Sequence, residues 1–226
     1  MLLENLNNVN ERIKIAAEKS GRTRDDIQLI AVTKTHGVDT ILESINHGVT
    51  DIGENRVQEL LEKIDSIPDN IRIHMIGQLQ TNKVKYIINR VDLIQSLDRM
   101  SLLKTIQKEA AKINKVQDCL IQINLTDDEN RAGVHFDKLE EFVKAIGDCP
   151  NVNVKGLMCV APLDLNKDEL IKVFDNMRLA FINLKCYNVI NVKPEILSMG
   201  MSGDFEIAIQ HGANMVRVGS AIFGNR

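Results

Sequence analysis

The sequence contains no tryptophan, only 4 prolines and 4 cysteines, and no long apolar run. Each shortage excludes something. No stretch approaches the ~18 apolar residues of a membrane span, so no spanning helix is expected. The opening segment MLLENLNNVNERIKIAAEKSG interrupts its apolar positions with Asn, Glu, Arg and Lys. It lacks the continuous core of a secretory leader, and a cytoplasmic location is expected. Cys119, Cys149, Cys159 and Cys186 show no C-x-x-C spacing, which leaves them as small hydrophobes in a reducing compartment. There the sequon at Asn124 carries no meaning. His36, His47, His74, His135 and His211 share no ligand spacing such as H-E-x-x-H, so no metal is expected. The acidic stretch Thr126–Asn130 reads as a solvated loop rather than a set of calcium ligands. An excess of one charge is missing too. With 28 basic and 31 acidic groups, a net charge of −3 and no basic block, there is no footprint for nucleic acid or an anionic membrane.

What is present is ordinary soluble globular composition, 44% hydrophobic and 26% charged. No Pro/Gly/Ser-rich linker divides the chain, and a single domain over 1–226 is the simpler reading. Short β-rich runs alternate with amphipathic helical stretches. The runs are Ile27–Thr33, Thr50–Gly53, Ile71–Gly77, Val91–Ser96, Asp118–Asn124, Val152–Met158, Glu195–Met199 and Met215–Val218. Between them lie segments such as VDTILESINHG, NKVKYIINR and DKLEEFVKAIG, with apolar residues at three- and four-residue steps. Strand and helix repeating without hairpin signals imply parallel strands and right-handed crossovers. Eight such units suit an α/β fold of the closed (β/α)₈ TIM-barrel kind. An open doubly wound sheet is the alternative. A leading helix over Leu3–Lys19 would plug or flank the bottom. Such barrels typically need about 250 residues and at least about 200, so 226 leave little for lids and the site should be open. The helices show no apolar stripe that demands a partner, and a monomer is expected.

Function in a parallel barrel sits at the carboxyl ends of the strands. The first strand runs through LIAV into Lys34, and the last, MVRV, holds Arg217 among apolar neighbours. A guanidinium at a barrel interior must find an acceptor. Closure makes these strands neighbours, with axes about 5 Å apart. Two cations side by side call for an anion or a covalently held ligand. Gly219 and Ser220 offer backbone N–H groups after the eighth strand, where such barrels bind phosphate. Ser202 either adds a hydroxyl there or caps the helix that follows it, Asp204–His211. An amine beside another cation and partly desolvated loses its proton more readily, which frees it for imine chemistry with a carbonyl. The competing reading is a lysine that snorkels out of the barrel mouth.

The motifs AVTKTHG, DIGENRVQEL, HMIGQLQTNK, SLDR, GLMCVAP and LSMGMSGDFEIAIQHGANMVRVGSAIFG stand in this order over nearly the whole chain. Together they resemble the pyridoxal 5′-phosphate (PLP) homeostasis proteins, a family similar to the barrel domain of bacterial alanine racemase (PLP fold type III). The resemblance implies that Lys34 holds PLP as a Schiff base and that Arg217 faces the pyridine nitrogen. It implies that Gly219, Ser220 and Ser202 bind the phosphate while Met199 and Asn55 line the pocket. Where the family commonly has lysine in the loop after the fifth strand, this chain has Arg131. Arginine cannot form an imine, so a cofactor contact there would be ionic only. The resemblance also puts Gln80–Lys83 in the site region, with no role beyond capping a helix near the rim.

An arginine facing the ring nitrogen does not readily give it a proton, so the ring would be a poor electron sink. Racemisation also needs an acid/base group opposite the lysine, which the racemases draw from a second domain; here the sequence ends at Arg226, directly after the eighth unit. The expectation is therefore a vitamin B6 carrier that holds PLP and releases it to PLP-dependent apoenzymes, and not an enzyme. The alternatives are a weak amino-acid racemase and a Schiff-base aldolase acting on a phosphorylated sugar. The aldolase would purify colourless and the carrier yellow.

Overall fold

The computed structural model describes residues 1–126, 128 and 131–224. Of the acidic stretch Thr126–Asn130, Asp127, Glu129 and Asn130 lie outside the described residues. The eight strands are β1 (Gln28–Val32), β2 (Asp51–Glu54), β3 (Arg72–Met75), β4 (Leu93–Leu97), β5 (Gln117–Ile123), β6 (Val152–Cys159), β7 (Val192–Ser198) and β8 (Met215–Val218). They close in that order into a parallel barrel, with β8 beside β1. The helices are α1 (Leu2–Lys19), α2 (Val38–Asn46), α3 (Val57–Lys63), α4 (Val84–Ile87), α5 (Met100–Lys112), α6 (Leu139–Ile146), α7 (Lys167–Leu184), α8 (Phe205–Gln210) and α9 (Ser220–Phe223).

Local chemistry accounts for these elements. In α5 the buried positions Leu102, Leu103, Ile106 and Ala110 repeat at helical spacing and form one face. Helix α7 starts at a capping box: Asn166 accepts from the Asp168 and Glu169 amides, and Glu169 accepts from the Asn166 amide. The strands are apolar on both sides because two cores meet across them. Ile30, Leu93, Leu120, Met158 and Met215 fill the barrel, and the larger cluster lies between barrel and helices. Helix α1 flanks the barrel, with Asn5 donating to the Ile222 carbonyl at 2.9 Å and Arg12 forking onto Glu206 at 2.9 and 2.8 Å.

Two elements differ from the sequence reading. Strand β7 begins at Val192 and runs through Pro194, three residues before the expected start. Proline is tolerated because the β6–β7 register shifts between Val154 and Gly156 and leaves Pro194 outside the ladder. Gly156 sits there at φ 146°, and a Cβ would meet the Ile196 carbonyl at 1.9 Å. The segment NKVKYIINR forms only the short α4, preceded by a 3₁₀ turn at Thr81–Lys83.

Candidate functional site

Strand β1 ends at Val32, and the next four residues form a turn closed by the His36 N–H on the Thr33 carbonyl at 3.1 Å. Thr35 occupies it at φ 67°, a region that β-branched residues rarely enter. Buried charges hold the turn from beneath. Lys63 donates to the Thr33 carbonyl (3.1 Å), Glu54 Oε1 (2.9 Å) and Glu59 Oε1 (2.8 Å). The Thr33 hydroxyl donates to Glu54 Oε1 at 2.7 Å, and the Thr35 amide donates to Glu59. Burial raises the Glu54 carboxyl above the usual range, even against the bonds from Thr33 and Lys63. Lys34 itself is exposed, and its amine makes no hydrogen bond or ion pair with any described residue. Its backbone is clamped and its side chain is free. His36 stacks on Phe223 at 4.6 Å, tying this loop to α9 across the barrel seam.

Arg217 lies within the barrel, only 3% exposed. It donates to Ser198 Oγ at 2.6 Å and to the Cys159 carbonyl at 2.7 Å. Burial draws its pKa down, opposed by Cys159 and Asp204; arginine remains a cation nonetheless. Register places Arg217 opposite Ile30. Lys34 lies beyond the end of β1, in the turn that follows Val32 at the carboxyl end of the barrel. The expectation of two cations side by side in a desolvated pocket is thereby corrected: one sits deep and bonded, the other stands at the open rim. A ligand with two separated polar ends suits this spacing better than a single small anion.

Ser202 Oγ accepts from the Gly219 amide at 3.2 Å and the Ala221 amide at 3.3 Å, so two backbone donors converge beside the rim. Ser202 thus does not cap α8. Asp204 precedes that helix and accepts from the Met201 amide. Burial raises the Asp204 carboxyl, opposed by that bond and by Arg217. Ser220 is exposed at the first position of α9. Asn55 follows β2, and its Oδ1 is buried without a hydrogen-bond partner among the described residues. Gly77 packs against the Asn55 backbone so closely that a Cβ would lie 2.2 Å from its carbonyl oxygen.

Met199 is placed elsewhere. Its side chain is fully buried in the cluster between barrel and helices. Strand alternation turns Ser198, one residue earlier, onto Arg217. Sequence reasoning missed Ser198, although the side-chain period of two along β7 could have found it. Arg131 is exposed in the loop after β5, where Asn124 holds its carbonyl at 3.1 Å. Gln80 precedes the Thr81–Lys83 turn without a side-chain capping bond.

Residues 5–226 match the family model described as alanine racemase, N-terminal domain. The chain is 43% identical over 224 residues to the pyridoxal phosphate homeostasis protein of Aquifex aeolicus (strain VF5), covering 99% of this chain and 97% of that one. The chain belongs to the pyridoxal phosphate homeostasis proteins, within the alanine racemase N-terminal domain family. Another family member, from Escherichia coli (strain K12), is 34% identical over 230 residues, covering 100% and 97% of the two chains. PipY of Synechococcus elongatus PCC7942, solved with PLP bound, superposes with a TM-score of 0.87 at 29% identity, covering 99% and 100%. Alanine racemase from Corynebacterium glutamicum shares the barrel at 18% identity and a TM-score of 0.72, and this chain spans 62% of that one.

Among the described residues no helix is long and apolar enough to cross a membrane, and no cluster of potential metal ligands occurs. The site residues fit a phosphorylated aldehyde. Among the described residues the Lys34 amine and the buried Asn55 Oδ1 have no hydrogen-bond partner, and two amides converge on the Ser202 hydroxyl.

Proposed function

We propose that this chain binds PLP and takes part in intracellular PLP homeostasis, holding the cofactor at the rim and passing it to other proteins. Lys34 is the amine that holds the aldehyde carbon. The Gly219 and Ala221 amides with the Ser202 and Ser220 hydroxyls hold the phosphate, Asn55 lines the pocket, and Arg217 faces the ring nitrogen. PLP, when bound, supplies an aldehyde for reversible attachment to an amine and a ring that can accept electrons. Arg217 only donates hydrogen bonds, so it holds that ring without protonating it, which favours storage over turnover. The exposed rim lets PLP-dependent apoenzymes reach the ligand. The chain acts as one PLP-binding domain and as a monomer. The observation that carries this reading is the exposed Lys34 amine, without a hydrogen bond or ion pair to any described residue, in the turn after the strand that pairs with the one burying Arg217.

The test is an absorption spectrum of the purified protein with PLP, followed by borohydride reduction and peptide mapping. We expect a visible band and a reduced adduct on Lys34, both lost in Lys34→Ala. Attachment at another lysine, or none, would defeat the assignment. A colourless protein trapped by borohydride only after addition of a sugar phosphate would mark an aldolase. Inversion of an added amino acid at ordinary enzymatic rates would replace the carrier with a racemase.

A further inference from the structure

A line of buried polar side chains crosses the barrel interior beneath the site and ends on Arg217. Asp51 stands at the start of β2, its side chain 1% exposed. It accepts from His74 Nε2 at 3.0 Å, from Arg72 at 2.6 and 2.7 Å, from Gln28 at 2.7 Å and from the Thr50 hydroxyl at 2.7 Å. His74 Nδ1 lies 3.2 Å from Gln95 Nε2. Gln95 Oε1 lies 2.7 Å from Ser198 Oγ, which lies 2.6 Å from Arg217. The path runs through β2, β3, β4, β7 and β8, passing from one wall of the barrel to the other. At its floor end Asp51 and Arg72 line a cavity of about 440 Å³.

Its polarity follows from its two ends. A guanidinium can only donate and a carboxylate only accepts. Ser198 receives from Arg217, so its single proton goes to Gln95 Oε1. The Gln95 amide then faces His74 with its NH₂, which makes His74 Nδ1 an acceptor and puts the ring proton on Nε2, toward Asp51. Every bond points the same way, from the buried Arg217 cation to the anion at the floor. Aligned hydrogen bonds polarise one another in a low-dielectric interior, and this alignment ties the Arg217 fork to a carboxylate at the opposite end of the barrel.

We infer that Asp51, His74, Gln95 and Ser198 are positioning residues that fix the direction of the Arg217 guanidinium toward the ring nitrogen of bound PLP. This rests on the function proposed above. None of the four needs to touch the cofactor. Removing a middle member leaves Arg217 in place but lets its fork turn.

The test compares the full-length wild type with Gln95→Met and Asp51→Asn in two measurements. In the first, ¹⁵N NMR of the protein without added PLP reads the His74 ring and the Arg217 side chain. Wild type should show His74 protonated on Nε2 and slowly exchanging Arg217 N–H signals. Gln95→Met should abolish the tautomer bias and broaden the Arg217 signals. In the second, absorbance titration with PLP should show affinity about tenfold weaker in Gln95→Met, with the visible band shifted while borohydride still fixes PLP to Lys34. Asp51→Asn should change both readouts in the same direction. A His74 proton on Nδ1 in wild type would overturn the inference, and so would unchanged Arg217 signals, band and affinity in the variants. If Gln95→Met does not fold, Ser198→Ala breaks the line by removing one oxygen and is judged by the same outcomes. A wild type that binds no PLP defeats the proposed function, and the NMR comparison still decides whether the line orients Arg217.

Discussion

The Thr35 amide donates to the Glu59 carboxylate while Thr35 holds a φ of 67°. The two observations belong together, because a β-branched residue stays in that region only when its surroundings impose it. Glu59 also accepts from Lys63, so one carboxylate secures both the strained turn and the lysine beneath it. Glu59→Ala should therefore lower stability in urea unfolding by about 2 kcal/mol and weaken PLP attachment at Lys34. Glu59→Gln, which keeps an acceptor, should lose less of both. Equal stability of Glu59→Ala and wild type would show that the turn needs no such support.

Acid should act through Asp51. Burial alone would raise its carboxyl, but hydrogen bonds from His74, Arg72 and Thr50 together hold it well below the usual range. A carboxyl lowered by folding contributes stability above its unfolded pKa of about 4, and that contribution fades as pH falls toward the folded value. Asp51→Asn should thus be less stable than wild type by about 3 kcal/mol near neutral pH, with the gap narrowing below about pH 4. Urea midpoints of both proteins across that range measure it. A gap independent of pH would contradict the assignment.

Two glycines near the rim should behave oppositely. A Cβ at Gly77 meets the Asn55 carbonyl oxygen at 2.2 Å, whereas one at Gly37 meets nothing within 4 Å. Gly77→Ala must move backbone and should cost about 3 kcal/mol, along with PLP affinity. Gly37→Ala, at the start of α2 with φ −73°, should stay within about 1 kcal/mol. Thermal unfolding of the pair checks both values.

The cysteines should separate by accessibility. Cys186 is exposed, while Cys119, Cys149 and Cys159 are buried. Burial pushes the Cys119 thiol far up and the Cys159 thiol up to about 12. A thiol reagent on the native protein should label Cys186 alone and reach the other three only in denaturant. Rapid native labelling of Cys159 would mean that the barrel opens far more readily than its packing implies.

Strand count, strand order and the lysine after β1 were legible because they rest on local pattern: apolar runs of strand length, helical spacing between them, and polar residues where strands end. That Ser202 and Gly219 come together was legible from their place after the seventh and eighth strands, and the Gly219 amide does donate to the Ser202 hydroxyl. Met199 was assigned to the pocket by the family resemblance alone, and the phase of β7 turns Ser198 toward Arg217 while burying the Met199 side chain between barrel and helices. The seventh run was started too late, at Glu195, since nothing local reveals the β6–β7 register shift that admits Pro194 into the strand.

Amino-acid order alone was enough to specify the (β/α)₈ repeat and to place Lys34 just past the end of one strand and Arg217 within another, strands that become neighbours when the barrel closes. How far apart the two stand was settled only on closure, because the stagger of β8 against β1 sets Arg217 opposite Ile30 and leaves Lys34 at the rim. The line from Asp51 to Arg217 likewise exists only in the folded molecule. Gln95 and Ser198, 103 residues apart, meet across the barrel interior, and no local periodicity records a contact between opposite walls.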